Sequence, residues 1–342
     1  MRIGGNSKFS TSVFFLVLFL ILLVVFVFAL CNGHYTLEPV SCIKMLVMKP
    51  LGLKGNWKPL DESVLFGIRL PRIVGAIVVG ACLALSGASY QSIFQNPLVS
   101  PDILGVSSGA CVGAALAILL HLSGPLIMVF SFTCGILTVA ATLTIPKLLK
   151  SNSNIMLVLS GIVVSGLTSS ILGIIKYVAD PQSELPKITY WTMGALDTVT
   201  FSTLAAEIVP IVICILILTR MAWWINIIAQ GEKDAKTLGA DVPKIRLLAI
   251  VCATLLTALS VCMSGTIGWI GLVIPHFARM FVGPDNTKLM PTAAILGAIF
   301  LLLVDTVARN IAAVEIPLSI ITGLIGAPFY AWLLYRQRLT LH

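Results

Sequence analysis

Long apolar runs, parted by short polar turns, dominate the sequence, and none shows the strict apolar–polar alternation of a barrel strand. Each run approaches the ~20 residues that carry a helix across a bilayer. The pattern predicts helices over Val13–Leu30, Ile73–Ser92, Ile103–Leu122, Pro125–Ile145, Ile155–Val178, Ser202–Trp224, Leu247–Met263, Trp269–Val282, Pro291–Ala308 and Ile320–Tyr335. Three polar stretches separate them most clearly: Asn32–Glu62, Ala179–Phe201 and the charged Gln230–Arg246. The expected fold is an all-α membrane protein of about ten transmembrane helices, with residues 1–342 forming a single transmembrane domain. The first run follows Arg2 and Lys8 and could open a signal peptide, but it lacks a small-x-small cleavage site. Leu30 is also too large for the residue before a lipidated Cys31, so the run reads as a retained helix.

A faint internal repeat accompanies the pattern. Arg72, an apolar run and Ser86–Gly87 are echoed by Arg246, an apolar run and Ser264–Gly265. The echo suggests two halves of opposite orientation, as many transport folds have.

Composition sharpens this reading. Of 342 residues 58% are hydrophobic and 11% charged, with a mean hydropathy of +1.03. Soluble domains average about 45–50% apolar and about 25% charged. A globular cytosolic enzyme is thereby excluded, and so is a chain whose backbone polar groups could be left to water. The net charge of +8 comes from 22 Lys and Arg against 14 Asp and Glu. No basic stretch is interleaved with aromatics, so nucleic acid is not an expected partner. An even number of spans places both termini on one side. Placing them in the cytoplasm puts Arg2, Lys8, Lys147, Lys150, Arg220, Lys233, Lys236, Lys244, Arg246, Arg279, Lys288, Arg336 and Arg338 inside, a modest excess over the remaining Lys and Arg.

Few positions carry chemistry. Gly105, Gly109 and Gly113 share one helical face and predict a close helix approach. Asp305 and Arg309, spaced i,i+4, suit a local ion pair, although charges inside a membrane are by default suspected of function. His276 has no companion ligand, the four His are scattered, and no metal site or catalytic residue is expected. Six of the eight Cys lie in apolar runs as small hydrophobes, and a Cys31–Cys42 disulfide stays open. No GxxxxGK[ST] loop occurs, and Gly52…Lys58 has the wrong spacing for one. Active transport by this chain would therefore take its nucleotide chemistry from another subunit. Gln230–Gly239 predicts a short charged helix with an apolar edge of Ala235 and Leu238, suited to a groove on a partner or else a solvated loop.

Several motifs in fixed order resemble the FecCD-type permeases of ABC importers for iron-siderophores, haem and cobalamin. They are Arg69-Leu-Pro-Arg72, Leu85-Ser-Gly-Ala88, Gln91, Asn96-Pro-Leu98 and Leu104-Gly-Val-Ser-Ser-Gly-Ala110. Further along come Gly231-Glu232…Ala235…Leu238-Gly239, Gly268-Trp-Ile-Gly-Leu-Val-Ile-Pro-His276, Asp305…Arg309, Glu315-Ile-Pro317 and Gly326-Ala-Pro328. The resemblance implies a type II ABC importer permease fold with two inverted halves, working as a homodimer in the prokaryotic inner membrane. Its partners would be two ATP-binding subunits and an external substrate-binding protein, with ATP and Mg on the ATPase and no cofactor on this chain. It implies that Arg69, Arg72 and Arg309 receive acidic residues of the binding protein, with interfacial snorkelling as the bland alternative for the first two. Asn96 and Leu98 would close the pore on the cytoplasmic side. Gly231, Glu232, Ala235, Leu238 and Gly239, within the 230–246 loop, would form the coupling helix that seats on the ATPase. The cargo would be a metal chelate, an iron-siderophore or haem first, with cobalamin or an oxyanion such as molybdate as alternatives. An ion-coupled secondary transporter is a distant one, since little beyond Asp305 could serve it.

Overall fold

The computed structural model describes residues 8–53, 55, 57–150, 154–312 and 314–339. Thirteen helices are found among them, in the order α1 (Lys8–Cys31), α2 (Pro39–Met48), α3 (Pro59–Ile93), α4 (Val106–Leu119), α5 (Gly124–Leu148), α6 (Asn154–Val178), α7 (Glu184–Met193), α8 (Phe201–Gln230), α9 (Glu232–Thr237), α10 (Val242–Ser264), α11 (Ile270–Val282), α12 (Asn286–Ile311) and α13 (Leu318–Leu339). Seven of the described helices, α1, α3, α5, α6, α8, α10 and α12, are long and apolar enough to cross a bilayer. Helices α4, α11 and α13 complete a set of about ten, as the hydropathy pattern predicts.

The two short members have a physical reason. At about 1.5 Å per residue, 14 or 13 residues reach only about two thirds of the ~30 Å hydrocarbon core. The remaining depth is covered by a 3₁₀ turn at Pro101–Leu104 before α4 and by non-helical residues 265–269 before α11. Irregular backbone at membrane depth survives only when protein surrounds it. Pro101 and Leu104 are buried, and a side chain on Gly271 would strike Pro101 at 2.6 Å, so the turn before α4 leans on the start of α11.

Helix α3 is the centre of the molecule, with α10, α11 and α12 packed around it. Glycine sets these distances. Gly80 of α3 and Gly297 of α12 oppose each other so closely that a Cβ on either would sit 2.3 Å from the other's carbonyl oxygen. Between α3 and α10 the contact is polar as well. The Ser86 hydroxyl donates to the Ala253 oxygen and lies 2.8 Å from the Thr257 hydroxyl, while Tyr90 lies 2.6 Å from that of Thr254. Ascending α3 meets descending positions on α10, so the two helices of the sequence echo run in opposite directions, as inverted halves require. Helices α1, α5, α6 and α8 form an outer ring with most of their residues facing outward. The face of Gly109 and Gly113 serves the predicted close approach, whereas Gly105 stands before α4 as its N-cap at φ +79 and outside the helical face expected for it. A Cβ on Gly109 would lie 2.1 Å from the Thr138 hydroxyl and one on Gly113 2.2 Å from the Phe130 oxygen, both on α5.

The structure adds two helices that hydropathy passes over. Asn32–Glu62 contains α2 and Ala179–Phe201 contains α7, each ten residues and too short for a crossing. It also begins α3 well before Ile73, at Pro59, through a wide π-type turn at Ser63–Arg69. Pro71 cannot donate to the ladder, and Leu70 donates instead to the Leu65 oxygen five residues back.

Candidate functional site

The residues singled out in the sequence gather at the two opposite ends of this bundle. At the first end, α3 supplies Arg69 and Arg72, and α12 supplies Asp305 and Arg309. Arg72 Nε donates to Asp305 Oδ1 at 2.9 Å and its Nη1 to Glu315 Oε1 at 2.8 Å. Arg309 Nε stands 3.1 Å from Asp305 Oδ2 as an ion pair and donates to the Asp305 main-chain oxygen at 3.4 Å, so the i,i+4 pair expected from sequence forms. Its Nη2 reaches the Ala29 oxygen at 3.4 Å, and Arg69 donates to the Leu30 oxygen at 2.6 Å and to the Tyr35 oxygen. The arginines thus cap the orphan carbonyls at the end of α1. Burial and, after it, the nearby Cys31 push the Cys42 thiol up to about 11.

The three arginines expected to receive a binding protein are all engaged within the chain. Arg69, Arg72 and Arg309 are 4–5% exposed and spend their N–H groups on this chain. Burying such charges is tolerable because Asp305 sits between Arg72 and Arg309 as a shared counter-charge, while Arg69 donates to main-chain oxygens.

The opposite end carries the gate turn and the short helix. After α3, Gln95 adopts φ +51 and Asn96 closes a turn by accepting the Leu98 N–H at 2.9 Å. Asn96 and Leu98 are both exposed. Helix α9 lies between α8 and α10, bracketed by Gly231 at φ +151 and Gly239 at φ +82, backbone settings that favour glycine. Ala235 is fully buried against Ile227, Ile228 and Val242, so it anchors α9 to its own chain. The expected apolar edge of Ala235 and Leu238 is therefore corrected. Leu238 alone, 62% exposed, points away, with Asp234 and Lys236 exposed beside it. The Glu232 side chain lies outside the described residues.

Sequence reasoning missed what joins these parts. Gln95 Nε2 donates to the Ile228 oxygen at 3.0 Å, tying the gate turn to the end of α8 from which α9 departs. Asn226 donates to Asp285 at 2.7 Å and accepts from the Asn286 main-chain and side-chain N–H groups, both at 2.8 Å. Ser92 of α3 donates to Asn286 at 2.6 Å. Burial pushes the Asp285 carboxyl up, but hydrogen bonds from Thr287 and Asn226 outweigh it and hold the group below the usual carboxylate range. A side-chain hydrogen bond from Lys244 likewise lowers Asp241, the N-cap of α10. Their only signal in sequence is an Asp or Asn just before an apolar run, which reads as a cap. Among the described residues, no three His, Cys, Asp or Glu side chains converge as metal ligands would.

Comparison with known proteins agrees with this architecture. The molybdate import system permease of Haemophilus influenzae is 39% identical over 319 residues, 93% of this chain and 94% of its own length. A permease of Helicobacter pylori strain 26695, named for iron chelatin transport, is 40% identical over 80% of this chain and 83% of its own length. A solved structure described as a metal-chelate type ABC transporter in an inward-facing conformation superimposes with a TM-score of 0.84 at 38% identity, covering 94% of this chain and 98% of that one. The model of the FecCD transport family matches residues 21–336. The chain belongs to the FecCD transport family and is an ABC importer permease, a multi-pass membrane protein.

Proposed function

We propose that this chain, paired with a second copy, carries a metal chelate inward across the prokaryotic inner membrane, an iron-siderophore or haem. ATP is hydrolysed on two separate subunits and an external binding protein delivers the cargo. Both termini are cytoplasmic, so the end carrying α9 faces the ATPase and the end carrying Arg72 faces outward. One observation carries the mechanism, the Gln95–Ile228 hydrogen bond between the gate turn and the stem of α9. In this reading the coupling segment Gly231–Gly239 seats on the ATPase through exposed Leu238 and its charged neighbours. Closure of the ATPase dimer displaces α9, α8 follows because Ala235 is locked against it, and the turn of Asn96 and Leu98 moves with Gln95. Docking belongs to the outward end. There the arginines act through the net positive field of three guanidiniums against Asp305 and Glu315, which steers an acidic partner, rather than by direct capture.

The metal-chelate reading draws support from the iron chelatin relative and the metal-chelate structure. The Haemophilus influenzae relative, similar over 93% of this chain, supports an oxyanion such as molybdate as the second reading. The deciding experiment reconstitutes the permease with its genomic-neighbour ATPase and binding protein, then follows ATP-dependent uptake of ferric siderophore, haem, cobalamin and molybdate in parallel. Uptake of an iron chelate that requires both partners is expected. Accumulation of molybdate alone would select the second reading. Uphill uptake by the permease alone on a proton or sodium gradient would overturn the mechanism.

A further inference from the structure

A membrane-embedded carboxyl outside both ends has no assigned task. Glu207 of α8 is 7% exposed, and its Oε2 finds no hydrogen-bond partner. It lines a cleft of about 410 Å³, within the ~300–1,000 Å³ usual for small-ligand sites. The other walls are apolar: Val129 and Phe132 from α5, Leu259 and Cys262 from α10. Ser202 and Thr203, in the first turn of α8, also line it. Helices α5 and α8 each pack on α10, and the cleft lies between them. Val129 on its rim and Val209 and Val212 on the adjoining surface of α8 are exposed, so in a bilayer this face meets acyl chains.

Depth and charge identify the occupant. The polar capping box of Thr200 and Thr203 marks the start of α8 at the interface. Glu207 lies six residues beyond Phe201, about 9 Å along the axis, just beneath the headgroup level. A soluble cation would have to shed its water to reach it, whereas a lipid headgroup can bend inward while its chain remains in hydrocarbon. Intramembrane carboxyls without a partner are costly and by default functional. The cleft offers one acid, hydroxyls toward the interface and an apolar channel. Those features complement an ammonium group that can donate hydrogen bonds and is attached to an acyl chain.

We propose that the cleft between α5, α8 and α10 binds one phospholipid bearing a primary-ammonium headgroup, with the ammonium on Glu207 and an acyl chain along Val129, Phe132 and Leu259. Anionic headgroups meet a carboxyl of the wrong sign, and a trimethylated ammonium has no N–H to give. The test places the permease, with its copurifying subunits, in nanodiscs of palmitoyl-oleoyl phosphatidylethanolamine, its N-methyl and N,N-dimethyl forms, or phosphatidylcholine. Retained lipid is counted by native mass spectrometry. Retention of one ethanolamine lipid per permease, falling stepwise and about tenfold across the methylated series, is expected. Glu207→Gln abolishes the headgroup preference at unchanged thermal midpoint. Val129→Trp fills the channel and expels the lipid with the carboxyl intact, so the answer survives if the first variant does not assemble. Free ethanolamine does not compete, which separates a lipid from a small amine. Equal retention across the series, a preference that persists in Glu207→Gln, or undiminished retention in Val129→Trp overturns the proposal. Each readout is independent of transport, so failure of the importer reading would be seen separately.

Discussion

The two ends of the molecule hold their helices together by opposite means. At the outward end, Arg72, Asp305, Arg309 and Glu315 are all ionised types, three of them with side chains no more than 7% exposed, joined by ion pairs through Asp305 and Arg72. At the α9 end, Asn226, Asn286 and Ser92 are amides and a hydroxyl linked to the carboxylate of Asp285, with the Gln95 amide bonded nearby to the Ile228 oxygen. A buried ionic set has few alternative pairings, because any displacement strands a charge in low dielectric. Amides and hydroxyls can exchange one partner for another or for water at about 1 kcal/mol each. The rigid connection therefore lies at one end and the adaptable one lies where the proposed motor acts.

The most severe way to break this contrast is Asp305→Ala. It leaves Arg72 and Arg309 buried beside each other without the carboxylate they share, at a cost of about 3–5 kcal/mol. The expected result is a lower thermal midpoint in detergent and a lower folded yield. Joint replacement of Arg72, Asp305 and Arg309 by apolar residues of similar volume should recover most of that loss. A stable Asp305→Ala variant would show that these charges are hydrated and that the end is not closed.

How much of this was legible in sequence follows the same division. Lipid as solvent forces apolar runs on every crossing helix, so nearly all the spans declared themselves in the hydropathy pattern. Local pairs were legible too, as Asp305 and Arg309 are one turn apart. Arg72 and Asp305 are 233 positions apart, and nothing near either residue specifies the other. The burial of Ala235 escaped for a related reason: a six-residue helix has too few positions to define a face, and tertiary packing chose it. Helices α2, apolar but only ten residues, and α7, also ten residues and more polar, were hidden because neither is long enough to read as a crossing. Glu207 was passed over as one acid in an apolar run, since only the folded chain reveals that its Oε2 has no hydrogen-bond partner among the described residues.

A milder break separates coupling from stability. Asn226→Leu removes the acceptor for two Asn286 N–H groups and the donor to Asp285, with an expected stability loss of about 1–3 kcal/mol. The complex should still assemble and hydrolyse ATP, while transport per ATP hydrolysed falls several-fold, because α8 no longer drags the junction of α11 and α12. Gln95→Ala should act in the same direction and more weakly. Transport and hydrolysis falling in parallel would mean that the network only stabilises the fold.

The smallest effect sharpens the comparison through pH. Asp285 caps α12, accepting from the Thr287 N–H at 3.0 Å, and its replacement by Ala should cost about 1 kcal/mol. Its folded carboxyl is held below the usual range. A group depressed in the folded state stabilises fully above its unfolded value, about 3.9, and that contribution fades as pH falls through the folded value. The stability difference between wild type and Asp285→Ala should thus be flat from about pH 5 to pH 8 and shrink below about pH 4. A difference that instead grows toward acid would mean that Asp285 gains from protonation. The adaptable end would then hold a repelled carboxyl where the hydrogen bonds of Asn226 and Thr287 require a charged one.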